Sequence, residues 1–241
     1  MRYRILDSIR GISLISMIAY HLIWDLVYLF GMEWKWYQST GGYVWQQSIC
    51  WTFILLSGFC WSIGNHPLKR GVNMLVIGSV ITLATVILMP ENRIVFGILT
   101  LIGSCNLILI GLEKSLKRVH EGRGLLLSMF LFILMKQVNN GYIGFGEDFI
   151  FRLPDILYQG YFTTYIGFTA PEFYSADYFS LIPWCFLFIA GYFLYQIVAK
   201  KDGLRYLYKK GIGVIEYIGR HSLIVYVLHQ PIIYLSLSLC F

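Results

Sequence analysis

Charge is scarce in this chain. Asp, Glu, Lys and Arg make up 13% of its 241 residues, against roughly 25% in soluble domains. With so little charge and 57% hydrophobic residues, a soluble domain of this length could not hide its apolar surface in one core. Cysteine is also sparse, at 5 residues, which excludes a disulfide scaffold. No polar low-complexity stretch marks disorder. In place of charge the chain carries 18 Tyr, 17 Phe and 7 Trp among long apolar runs. Water as the only solvent is excluded, and composition predicts an integral membrane protein.

A crossing helix needs about 20 mostly apolar residues. Windows of that size predict seven spans, at 9–30, 45–64, 72–89, 95–112, 124–138, 181–199 and 222–240, the fifth being short. The first run is too long for a signal-peptide core and no Ala-x-Ala-like site follows it, so it is expected to be retained. Lys and Arg are held on the cytoplasmic side. An inside N-terminus puts Arg2, Arg4, Arg10, Lys69, Arg70, Lys114, Lys117, Arg118, Arg123, Lys200, Lys201, Arg205, Lys209, Lys210 and Arg220 inside, 15 of the 19 basic residues. Lys35, Arg93, Lys136 and Arg152 remain outside. The expectation is one domain over 1–241, an all-α polytopic bundle of about seven helices, N-inside and C-outside, in the plasma membrane. The formal charge of +6 is then a topology signal that needs no nucleic-acid partner. The 139–180 stretch is a long external loop with no obvious element of its own, holding Glu147, Asp148, Asp155, Glu172 and Asp177. Such connections are usually functional or lids.

Ionisable groups inside a membrane are costly and usually face a cavity or a partner. His21 and Asp25 lie four apart, on one helix face. A carboxylate beside an imidazole fixes its tautomer and raises its basicity, an arrangement general bases use. Arg10 shares that face about 16 Å lower. The alternative is a structural pair that holds helices together. The last span opens with Arg220-His221-Ser222 and contains His229-Gln230-Pro231, where proline is expected to break the helix and free the Val227 carbonyl. His229 then falls about 12 Å from His221 at the depth of His21, which implies a polar cavity between the first and last spans. The plain alternative is a proline kink with His229 bonding freed backbone. No ligand-pair spacing supports a metal site. At the inner rim, Arg10, Arg220 and His221, with Arg2, Arg4, Lys69 and Arg70, are either snorkelling charges or a cradle for a phosphate-bearing ligand. Trp34, Trp36, Tyr37, Tyr43 and Trp45 are interface anchors or a platform for sugar rings.

Leu6-Asp7-Ser8-Ile9-Arg10-Gly11, followed after ten residues by His21, resembles the Arg-x10-His signature of transmembrane acyltransferases. The run His21-Leu22-Ile23-Trp24-Asp25-Leu26 is similar to the bacterial branch akin to heparan-alpha-glucosaminide N-acetyltransferase. Further blocks are similar to the same family: Leu56-Ser57-Gly58-Phe59, Phe96-Gly97-Ile98-Leu99 with Ile102-Gly103, the stretch from Tyr178 to Trp184, and Gly219-Arg220-His221-Ser222-Leu223 with His229-Gln230-Pro231. The fourth span of the family often has a histidine where this sequence has Thr100, and larger relatives carry more spans.

The resemblance implies transfer of an acyl group, most simply acetyl from acetyl-CoA, to a hydroxyl or amine of an external glycan or lipid-linked sugar. It implies His21 as general base or acyl carrier, Asp25 orienting the ring, and His229 positioning the acceptor or polarising the thioester. Arg10, Arg220 and His221 would hold the CoA end, with no metal. The competing class is a proton-coupled transporter or flippase, which also uses intramembrane His and Asp beside a broken helix. No inverted repeat supports it. A third class is a scaffold whose polar pair only locks helices. At this length a homo-oligomer is compatible with either chemistry.

Overall fold

A computed structural model of the chain describes residues 3–146, 148–201, 203–208 and 211–241. Arg2, Lys209 and Lys210 of the predicted inside set, and Glu147 of the 139–180 stretch, lie outside the described residues. The described chain is mostly helical: α1 (Arg4–Tyr28), α2 (Thr40–Trp61), α3 (Pro67–Leu88), α4 (Ile98–Leu116), α5 (Glu121–Leu134), a hairpin of β1 (Tyr142–Phe145) and β2 (Asp148–Arg152), then α6 (Tyr161–Ile166), α7 (Leu181–Lys200), α8 (Leu204–Leu207), α9 (Gly213–Arg220) and α10 (Ser222–Ser238).

Each of the seven predicted segments is helical. Among the described residues four helices, α1, α3, α4 and α7, are long and apolar enough to cross a membrane. α3 shows why lipid is needed as solvent, because Val76, Val80, Leu83 and Ile87 line it exposed.

The described residues are mostly helical, as expected, with one small two-stranded sheet added. The expectation that the 139–180 stretch has no element of its own is corrected. That stretch carries the β1–β2 antiparallel hairpin, which pairs Tyr142 with Arg152, as well as 3-10 turns and α6. The hairpin was illegible because its strands are 4 and 5 residues long, too short for an alternating pattern to stand out.

The chain forms two compact units, residues 1–56 with 198–241 and residues 57–197. In the first, Leu14 and Met17 of α1 and Ile49 of α2 form a buried core with Ile218, Val225 and Tyr226 against it. α9 lies against α1 at backbone contact. A Cβ on Gly11 would strike the Ile215 carbonyl, and one on Gly219 the Asp7 carbonyl, so only glycine permits this approach. Ser8 ties the two helices further, donating to the Arg4 carbonyl at 3.1 Å and accepting from the Ile212 N–H at 3.0 Å. The Trp45 indole donates to Ser16 Oγ at 2.8 Å, fixing α2 to α1.

In the second unit, Leu109, Phe132, Leu187 and Phe188 are fully buried. The indole of Trp61 donates to the carbonyl of Asn106 at 3.2 Å, and the Arg70 guanidinium caps the α2 carbonyls of Cys60 and Trp61 at 3.2 and 3.0 Å. Two of the motif blocks meet here: Phe179 N–H donates to the Phe96 carbonyl at 2.9 Å, and Ala176 N–H to the Arg93 carbonyl at 3.0 Å. A partly buried polar network (Asn139, Ser180, Thr169, Tyr178 and Thr164) organises the segment between α5 and α7. Within it, burial pushes the Tyr178 hydroxyl above its ordinary range.

Candidate active site

The polar residues of α1 and α10 meet inside the first unit. The rings of His21 and His229 face each other edge to face, with centroids 5.0 Å apart and planes at 61°. His21 also lies edge-on to Tyr20, 6.0 Å away. His229 Nδ1 bonds the Tyr226 carbonyl. A carbonyl only accepts, so Nδ1 carries the proton and Nε2 holds the lone pair. That Nε2 is buried and has no partner among the described residues.

Asp25 is fully buried one turn beyond His21. It does not bond His21. Its Oδ1 accepts from Gln230 Nε2 at 2.7 Å, so the carboxylate links α1 to α10. Asp25 Oδ2 and Gln230 Oε1 are both buried without a partner among the described residues. Three acceptor atoms, on Asp25, Gln230 and His229, thus stand without donors at one contact between helices. Each such atom costs about 1–3 kcal/mol when nothing fills it. α10 continues as one helix through Pro231 rather than ending there.

Of the expected rim residues, Arg4, Arg10, Arg220 and His221 lie on or beside α1 and α9, whereas Lys69 and Arg70 belong to α3 in the second unit. Arg10 Nη1 pairs with Asp7 Oδ1 at 3.2 Å, and Arg220 Nη2 with Glu216 Oε1 at 3.4 Å. Glu216 is buried and also receives Arg4, whose Nε reaches both carboxylate oxygens at 3.0 Å. His221 donates from Nδ1 to the Tyr217 carbonyl at 3.0 Å and packs against the Tyr217 ring. Arg10 and Arg220 keep 28% and 43% of their side chains exposed, so each retains guanidinium donors on its open side.

Two residues of this centre escaped the reading of the sequence. Glu216 carried no signal, since a carboxylate before a basic stretch is ordinary. Gln230 stood between His229 and Pro231 in a block that resembled a family, and its neighbours drew the attention. Thr100, at the position where relatives often have histidine, belongs to the second unit, where a Cβ on Gly78 of α3 would lie 2.8 Å from its Oγ1. A larger side chain would need α3 and α4 to separate. Of the aromatic group after α1, Tyr37 is buried and donates to the Tyr20 carbonyl at 3.2 Å, whereas Trp34, Trp36 and Tyr43 are exposed.

Helices among the described residues that are long and apolar enough to cross a membrane, together with Asp25 of α1 and His229 of α10 buried where those two helices touch, mark a membrane protein with a polar centre. The chain belongs to the heparan-alpha-glucosaminide N-acetyltransferase catalytic family, which matches it over residues 2–231. No curated protein and no solved structure matches it.

Proposed function

We propose that the chain is a multi-pass acetyltransferase of the plasma membrane. It takes acetyl from cytoplasmic acetyl-CoA and places it on an amine of an external glycan or lipid-linked sugar. Family membership favours transfer over transport. In this reading all seven helical segments cross, with the N-terminus inside, so that α8 and α9 lie with the basic residues at the cytoplasmic face.

The observation that carries the reading is the set of three unpartnered acceptors beside the His21–His229 contact. An arriving amine brings several N–H donors, and a carboxylate favours its protonated form. A hydroxyl brings one donor and leaves most of the acceptors unsatisfied. The ammonium form donates its three N–H groups to Asp25 Oδ2, Gln230 Oε1 and His229 Nε2, and Asp25 takes one of these protons, which frees the nitrogen lone pair for attack. His21 takes a proton from the nitrogen as the new N–C bond forms at the thioester carbonyl. The C–S bond breaks, CoA leaves as thiolate, and the imidazolium returns the proton to sulfur. The guanidiniums of Arg10 and Arg220, with His221, hold the CoA phosphates from the inside.

The test is thermal unfolding of purified protein with acetyl-CoA, followed by label transfer to an amino sugar and to its hydroxyl analogue. A ligand of the native state raises stability by about 2.7 kcal/mol at one hundred times its dissociation constant. Stabilisation together with transfer to the amine alone supports the reading. Transfer to the hydroxyl analogue at the same rate contradicts the amine assignment, and no stabilisation contradicts the donor.

A further inference from the structure

The segment between α5 and α7 holds an open groove of about 890 Å³ in the second unit, apart from the histidine centre. This size lies within the usual range of ligand sites.

Its floor and its rim differ in how their hydrogen bonds are used. On the floor, Asn139 is saturated: its amide donates to Thr169 Oγ1 at 3.2 Å and to Ser180 Oγ at 3.1 Å, while its carbonyl accepts from Ser180. The two tyrosines that line the groove are pinned at their hydroxyls. Tyr158 donates to the Val138 carbonyl at 2.6 Å, and Tyr142 to the Gly146 carbonyl at 2.9 Å. Their rings are therefore held in fixed planes before anything binds, which lowers the ordering cost of a ligand that packs on them.

The rim is unspent. The Gln159 side chain is exposed and has no hydrogen-bond partner among the described residues, only its backbone carbonyl accepting from Thr163 Oγ1 at 3.0 Å. Arg152 and Asp155 approach each other only to 3.7 Å, with 79% and 88% of their side chains exposed. One guanidinium, one carboxylate and one amide supply both donors and acceptors in planar pairs, the geometry that meets two adjacent hydroxyls at once. Their charges cancel, and no other lining side chain is ionic at neutral pH. The ligand that fits is hydroxyl-rich on its edges, apolar on one face and uncharged.

We propose that this groove binds neutral sugar rings, with Tyr142 and Tyr158 packing on ring C–H faces and Arg152, Asp155 and Gln159 bonding the hydroxyls. Binding here is independent of the chemistry at His21, so the groove and the acetyltransferase reading can fail separately.

The experiment is saturation-transfer NMR on the full chain in a detergent without a sugar headgroup. The probes are cellobiose, N,N′-diacetylchitobiose and glucose 6-phosphate. The proposal expects saturation of a neutral disaccharide by wild type and equally by His21→Ala. Binding weakens about tenfold in Gln159→Ala and in Asp155→Ala, the loss of roughly one good hydrogen bond. Both substitutions are at exposed positions, so the fold is retained, and a thermal midpoint equal to wild type verifies this. No saturation of either disaccharide by wild type, unchanged binding in both variants, or tighter binding of the phosphorylated sugar would each overturn it.

Discussion

Gln230 donates to Asp25 Oδ1 at 2.7 Å, and this bond joins α10 to α1 one residue from His229 and four from His21. It fixes a carboxylate that is fully buried. Removing the donor leaves Asp25 without its side-chain partner among the described residues. Gln230→Ala is expected to destabilise the fold by about 1–3 kcal/mol, read as a fall in the thermal midpoint. An unchanged midpoint would mean that the carboxylate is held by something else.

The approach of α9 to α1 depends on the absence of two side chains. Gly219→Ala places a methyl group against the Asp7 backbone carbonyl, and Gly11→Ala does the same at Ile215. Each is expected to cost about 1–3 kcal/mol through forced separation of the helices. The effect on Arg4 and Arg220 follows, because both reach Glu216 from opposite sides of that contact. Normal stability of both variants would show that the helices tolerate a wider spacing.

Arg220 offers a separate test of donor docking. In the proposed function, Arg220→Ala raises KM for acetyl-CoA severalfold to about tenfold while kcat stays near wild type, the pattern of lost ground-state binding. Added salt should narrow the difference, since the site is partly exposed. A fall in kcat at unchanged KM would move Arg220 away from the donor.

Alkaline pH should weaken the segment between α5 and α7. Burial raises the Tyr178 hydroxyl above its ordinary value of 10.0, so the folded state keeps a proton that the unfolded chain gives up. The stability this brings is present below about pH 10 and is lost as pH rises beyond it. The thermal midpoint should drop above that pH, and Tyr178→Phe should flatten the drop. An identical alkaline limb in the variant would rule out Tyr178 as its source.

How much of this was legible in the sequence follows from the range of each interaction. Helices announce themselves through runs of about 20 apolar residues, so every predicted segment is a helix. The 3.6-residue period put His21 and Asp25 on one face. Spacing along one helix carries no record of the opposite helix, however. The sequence suggested Asp25 as the partner of His21, and the structure gives it to Gln230 across 205 positions. Pro231 pointed to a kink, and the helix carries on past it, because loss of one backbone donor does not end a helix that neighbours hold in place. Short strands and the buried Glu216 leave no periodic trace at all.

The most direct test of the account is the rate of acetyl transfer from acetyl-CoA to an amino sugar by wild type, His21→Ala and His229→Ala. Acetyl-CoA thermal shift is measured on the same samples. The account predicts that His21→Ala loses about 10²–10⁴-fold in rate while the thermal shift persists, and that His229→Ala is also impaired. Near-normal transfer by His21→Ala in a folded, acetyl-CoA-binding sample would contradict it.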